Sequence, residues 1–239
     1  MRVVRFFVAV VAAFLWSFVV WLLVLVTAPF DRRRNAVNGL GRLWTGLWKI
    51  ILGVKVRVSG GENVRDGGPF LFVSNHASYL DVLALYDDFP VPVRFLAKKT
   101  LVWVPVFGLA FYTLDHVYID RRRKDQYKES FEQLAKKIRA GKNVFIFPGG
   151  RRAADGRIGE WKKGAFVLAA QLKVPVVPVG IIGSARLHGI GDLAPRPGTI
   201  HIRIGQPIPT AGATYDDRER LLLQTRQAVE ELIRHDPVE

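Results

Sequence analysis

His76 and Asp81 stand five residues apart in Asn75-His76-Ala77-Ser78-Tyr79-Leu80-Asp81, and a histidine beside a carboxylate can move a proton. The carboxylate fixes the imidazole tautomer through Nδ1–H, which leaves Nε2 free to accept a proton from a reacting hydroxyl. Residues five apart do not stack on a continuous helix. A strand-to-helix turn removes that objection. His76 follows the apolar run Phe70-Leu71-Phe72-Val73, and Asp81 falls in the first turn of an expected helix. A helix N-terminus favours a carboxylate's charge. The spacing alone is weak, because any surface His followed by a helix-capping Asp shares it.

The surrounding pattern supplies such a turn. From Val54 onward, β-branched and aromatic runs predict strands at Val54–Val58, Phe70–Ser74, Val93–Ala97, Val117–Ile119, Val144–Phe147, Val176–Val179 and Ile200–Ile204. Helical periodicity lies between several of them. One helix has Asp125 as its cap, Tyr127, Phe131, Leu134 and Ile138 as its apolar stripe, and Gly141 as its stop. Others are expected near Leu80–Tyr86, Trp161–Leu172 and Asp216–Ile233. Alternating strands and helices imply an α/β domain with a largely parallel sheet flanked by helices. Sites in such sheets gather at the carboxyl ends of strands, where His76 falls.

This α/β domain is expected over residues 53–239, with residues 1–52 forming an N-terminal membrane-binding helical element. Phe6 to Phe30 is broken only by Ser17 and Thr27, about the length that crosses a bilayer core as a helix. A cleaved signal peptide fits less well, since the run is long and Pro29 would follow the one small-residue cleavage site, Ala28. Asp31-Arg32-Arg33-Arg34 after the run puts the domain on the cytoplasmic side of the membrane. Arg2 and Arg5 before it favour the same side, so a re-entrant or tilted segment fits too. Leu40, Leu43, Trp44, Leu47, Trp48 and Ile51 then recur at helical spacing, either as an interfacial stripe or as a face packed on the domain. Gly39, Gly41 and Gly46 argue against a continuous helix there.

Lys and Arg outnumber Asp and Glu by 35 to 21, which asks for an anionic partner. Nucleic acid would explain the basicity but not the long apolar segment. There is no Cys, and therefore no thiolate nucleophile or Cys-based metal site. The five His are dispersed without metal-ligand spacing, and neither a Gly-x-Gly-x-x-Gly nor a phosphate-binding loop motif occurs.

The chain resembles the glycerolipid acyltransferases in several ordered motifs. Asn75–Asp81 is similar to their first motif. Ala97-Lys98-Lys99-Thr100-Leu101 with Pro105, Gly108 and Ile119-Asp120-Arg121 is similar to the second. Phe147-Pro148-Gly149-Gly150-Arg151-Arg152, continued by Trp161-Lys162-Lys163-Gly164-Ala165, is similar to the third, Phe-Pro-Glu-Gly-Thr-Arg. Val174–Val179 matches the fourth motif, and Ile202–Ile208 is like the family's closing strand. The resemblance covers about residues 55 to 210.

The resemblance implies an acyltransferase that needs no cofactor beyond its acyl-CoA or acyl carrier protein co-substrate. His76 would be the general base and Asp81 its orienting partner. Lys98, Arg121 and Arg152 would hold the phosphate of a lyso-phospholipid acceptor at the bilayer, with 1-acyl-sn-glycerol-3-phosphate foremost, and Arg151, a departure from the family pattern, is expected to bind that phosphate with Arg152. Gly149 and Thr100 replace two family glutamates, and Arg151 replaces a threonine. Gly149-Gly150 could instead offer backbone N–H groups to an anion. The departures also leave open another lyso-lipid acceptor, such as a lyso-ornithine lipid, or a lipid-binding protein without turnover.

Overall fold

The computed structural model describes residues 2–31, 35–100, 115–120, 124–149 and 158–234. The strands are β1 (Val54–Ser59), β2 (Leu71–Ser74), β3 (Val93–Lys98), β4 (Val117–Ile119), β5 (Asn143–Ile146), β6 (Val176–Ile182) and β7 (Gly198–Ile204). They form one sheet in the order β1-β7-β6-β2-β5-β3-β4. Pairing from β6 through β4 is parallel, β1 pairs parallel with β7, and among the described strands only the β6–β7 junction is antiparallel. The expected largely parallel sheet is therefore present.

The helices are α1 (Arg2–Thr27), α2 (Asn35–Leu52), α3 (Leu80–Asp88), α4 (Lys124–Arg139), α5 (Gly164–Leu172), α6 (Ser184–Leu187) and α7 (Arg218–Arg234). Side-chain alternation along the central strands feeds two cores. Leu71, Val73, Val144 and Ile146 meet Leu134 and Ile138 of α4, Phe166 of α5 and Leu221 of α7. On the opposite face Phe72, Phe145 and Val177 meet Leu80, Ala84 and Leu85 of α3. Burial on both faces is why these strands read as unbroken apolar runs.

Several boundaries differ from the expectation. Trp161 is buried ahead of α5 rather than within it. Helix α4 begins at Lys124, so Asp125 lies inside it, and Asp216 belongs to a 3-10 turn, Tyr215–Asp217, that precedes α7. Helix α2 runs unbroken through its three glycines. At Gly41 packing supplies the reason, since an added Cβ would lie 2.3 Å from the Tyr86 hydroxyl.

Helices α1 and α2 form an antiparallel hairpin. Val20 and Val24 pack with Val37, while Trp44 and Trp48 donate to Ser17 Oγ at 2.7 and 3.4 Å. The two indoles of the α2 stripe thus face α1. Lys49 ties the hairpin to α3 through Asp87 at 2.7 Å and Asp88 at 2.5 Å. Among the described residues no helix is long and apolar enough to cross a membrane. What α1 shows is an outward apolar face that includes Phe14, Leu15, Phe18 and Val26.

Candidate active site

Strand β2 ends at Ser74, and the chain turns through Asn75–Tyr79 into α3. Asn75 holds this turn against β6, donating from Nδ2 to Ile181 O at 2.8 Å and accepting from Ile181 N at 2.9 Å. Its side-chain amide replaces a strand neighbour just where the β2 ladder stops.

Asp81 lies in the first turn of α3 and is fully buried. Its Oδ2 accepts from His76 Nδ1 at 2.7 Å, Ala77 N at 2.8 Å and Ser78 N at 3.0 Å. The two backbone donors fix the carboxylate, so the imidazole meets an oxygen already in place. Oδ1 is also buried but has no hydrogen-bond partner among the described residues. The His76 side chain is 19% exposed, enough for a substrate to reach it. With Nδ1 committed to Asp81, Nε2 is the nitrogen left to accept a proton.

Two further contacts shape the site. The Phe147 ring stacks on His76, centroids 4.1 Å apart at 21°. Ser78 accepts from Leu80 N at 3.2 Å and donates from Oγ to His188 O at 2.7 Å, tying the turn to the β6–β7 loop. Asn75, Ser78 and Phe147 carry no role in the sequence reading, because their partners Ile181, His188 and His76 are remote in sequence. The aromatic placed directly before Pro148-Gly149 was the available signal for Phe147.

Sheet register brings other expected residues to the same edge. Val73 is opposite Ile146, and Phe95 is opposite Phe145. Continued past the strand ends, that register sets Asn75, Pro148 and Lys98 at one level. Lys98 ends β3 with its side chain exposed, and Gly149 follows in a half-buried turn. Arg121, Gly150, Arg151 and Arg152 lie outside the described residues. Among the described residues no three His, Asp or Glu converge as metal ligands.

A buried carboxylate, an accessible imidazole and a parallel-strand edge suit direct proton transfer from a hydroxyl. The family model described as Acyltransferase matches residues 55–182. The human 1-acyl-sn-glycerol-3-phosphate acyltransferase alpha is 30% identical over 215 residues, covering 87% of this chain and 76% of that protein. The chloroplastic 1-acyl-sn-glycerol-3-phosphate acyltransferase BAT2 of Brassica napus is 33% identical over 165 residues, 68% of this chain and 47% of its own length. In fold, the chain is like the crystal structure of the 1-acyl-sn-glycerophosphate (LPA) acyltransferase PlsC from Thermotoga maritima. The TM-score is 0.77 at 24% identity, covering 97% of this chain and 98% of that one. The chain belongs to the acyltransferase family. Within it, the chain is like the 1-acylglycerol-3-phosphate O-acyltransferases.

Proposed function

We propose that this enzyme moves a fatty acyl group from an acyl thioester to the free hydroxyl of 1-acyl-sn-glycerol-3-phosphate, giving phosphatidic acid. The observation that carries the reading is the 2.7 Å contact between His76 Nδ1 and the buried Asp81. His76 Nε2 takes the hydroxyl proton as the oxygen attacks the thioester carbonyl. The C–O bond forms, the C–S bond breaks, and the departing thiolate recovers the proton from the imidazolium. Asp81 holds the ring and offsets its developing charge. No covalent acyl-enzyme is needed, which suits a chain without Cys.

Lys98, Arg121, Arg151 and Arg152 hold the acceptor phosphate in this reading, with the Gly149-Gly150 backbone facing the same anion. The donor is an acyl-CoA or an acyl carrier protein thioester. The outward apolar face of α1 supports a membrane-associated enzyme, and the Asp31-Arg32-Arg33-Arg34 cluster supports the cytoplasmic side, with basic residues drawn to anionic lipid.

A specific observation favours a second acceptor, because Gly149 stands where the family has a glutamate. The deciding experiment is labelled acyl thioester offered with lyso-phosphatidate, glycerol phosphate and lyso-ornithine lipid in parallel. Preferential acylation of lyso-phosphatidate is expected. Turnover confined to a phosphate-free acceptor would overturn this acceptor assignment.

A further inference from the structure

The β6–β7 loop carries exposed aliphatic side chains that the catalytic reading leaves unused. Leu193 is fully exposed and Ile190 is 50% exposed. The loop is nonetheless built. Arg196 N donates to Leu187 O at 2.7 Å and closes its base, while Gly189 N donates to Asp192 Oδ2 at 2.8 Å across its tip. Ile190 and Leu193 therefore project from a backbone held by its own hydrogen bonds.

Its anchors are informative. On one side His188 O accepts from Ser78 Oγ, within the turn that holds His76, and the His188 ring lies 6.3 Å from the exposed ring of Tyr79. On the other side Gly198 N donates to Gly53 O at 3.0 Å. An added Cβ at Gly53 would lie 2.7 Å from Pro197 Cβ, so the loop also abuts the end of α2. Two residues before that end, Ile50 is 78% exposed. Exposed Arg186 and Arg196 flank the aliphatic pair, while Asp192 is turned inward to Gly189. Apolar side chains on a loop that exposed arginines bracket in sequence, on a chain of net charge +14, complement an anionic bilayer surface.

We propose that the Gly189–Arg196 loop is a second membrane-contacting element, seating Ile190 and Leu193 in the headgroup boundary and setting the His76 turn at the membrane surface. The inference rests on the membrane-associated reading above and extends it from α1 to the rim of the site. An acceptor held by its acyl chain in the bilayer then meets His76 without leaving the membrane.

Because the chain has no Cys, single-cysteine labelling tests this on the intact protein. Leu193→Cys and Leu15→Cys are each labelled with an environment-sensitive nitrobenzoxadiazole dye and mixed with phosphatidylcholine–phosphatidylglycerol vesicles. Both labels are expected to brighten and shift to the blue. A response at residue 15 with none at 193 would overturn this proposal and leave the membrane reading standing. Silence at both would overturn both. A response at 193 to soluble acyl carrier protein but not to vesicles would assign the loop to the donor and overturn the proposal as well. Leu193→Asp, with folding checked by circular dichroism, is expected to weaken vesicle partitioning by about tenfold or more. Unchanged partitioning would count against the loop.

Discussion

The imidazole of His76 lies on the phenyl ring of Phe147, with centroids 4.1 Å apart and planes 21° from parallel. Asp81 fixes the in-plane direction of the imidazole through Nδ1, and Phe147 limits its tilt from the end of the neighbouring parallel strand β5. Together they set where Nε2 points. Phe147→Ala is expected to lower kcat about ten- to hundredfold, because a misplaced base loses near-attack geometry. KM for the acceptor should change little, and Phe147→Tyr should restore most of the rate. Steady-state kinetics on the three proteins check this. Full activity in the alanine variant would show the stacking to be incidental.

Asp81→Asn keeps the side chain's size but removes the carboxylate that directs Nδ1–H. The expected loss is about 10²–10⁴-fold in kcat, the range typical of a disabled general base. A loss below about tenfold would mean that Asp81 is chiefly a structural cap.

Asn75→Ala leaves the buried N–H and C=O of Ile181 without the partners that Asn75 supplies. Each unsatisfied buried group costs about 1–3 kcal/mol. Urea unfolding is expected to show a fall of that order, together with reduced kcat as the catalytic turn loosens. Unaltered stability would contradict the clamp.

His116 gives a pH-dependent prediction away from the site. Burial, reinforced by the Arg94 guanidinium, lowers its pKa from 6.5 to about 3, and its Nδ1 accepts from Phe95 N at 3.2 Å. Between those two values the unfolded chain binds a proton that the folded chain refuses. Stability from this group is therefore intact above pH 6.5 and falls as the pH drops, by up to about 1.4 kcal/mol per unit. His116→Gln keeps an acceptor for Phe95 N–H without titrating, and unfolding measured across that window is expected to show a shallower acid loss. An identical slope would contradict the assignment.

The parts of the fold visible in the sequence are those governed by local periodicity. The run Phe70–Val73 and the following Asp81 announced a strand-to-helix turn, and the structure has β2 and α3 on either side of it. Unbroken apolar runs announced strands buried on both faces. The antiparallel β6–β7 junction was not legible, since parallel and antiparallel strands share one periodicity. Nor was the continuity of α2, where Gly41 is chosen to admit Tyr86 and not to break the helix. At the site, Asp81 could be paired with His76 because both lie on one short turn. Phe147, Ile181 and His188 reach that turn only through sheet pairing or loop packing.

In the proposed mechanism His76 is the base, and the acyl transfer depends on it. The most direct measurement is phosphatidic acid formation and thiol release by purified wild-type and His76→Ala proteins, given labelled acyl thioester and lyso-phosphatidate. Wild-type turnover with a drop of about 10²–10⁴-fold in kcat for His76→Ala, and unchanged folding, is the expected result. Equal rates in the two proteins would contradict it.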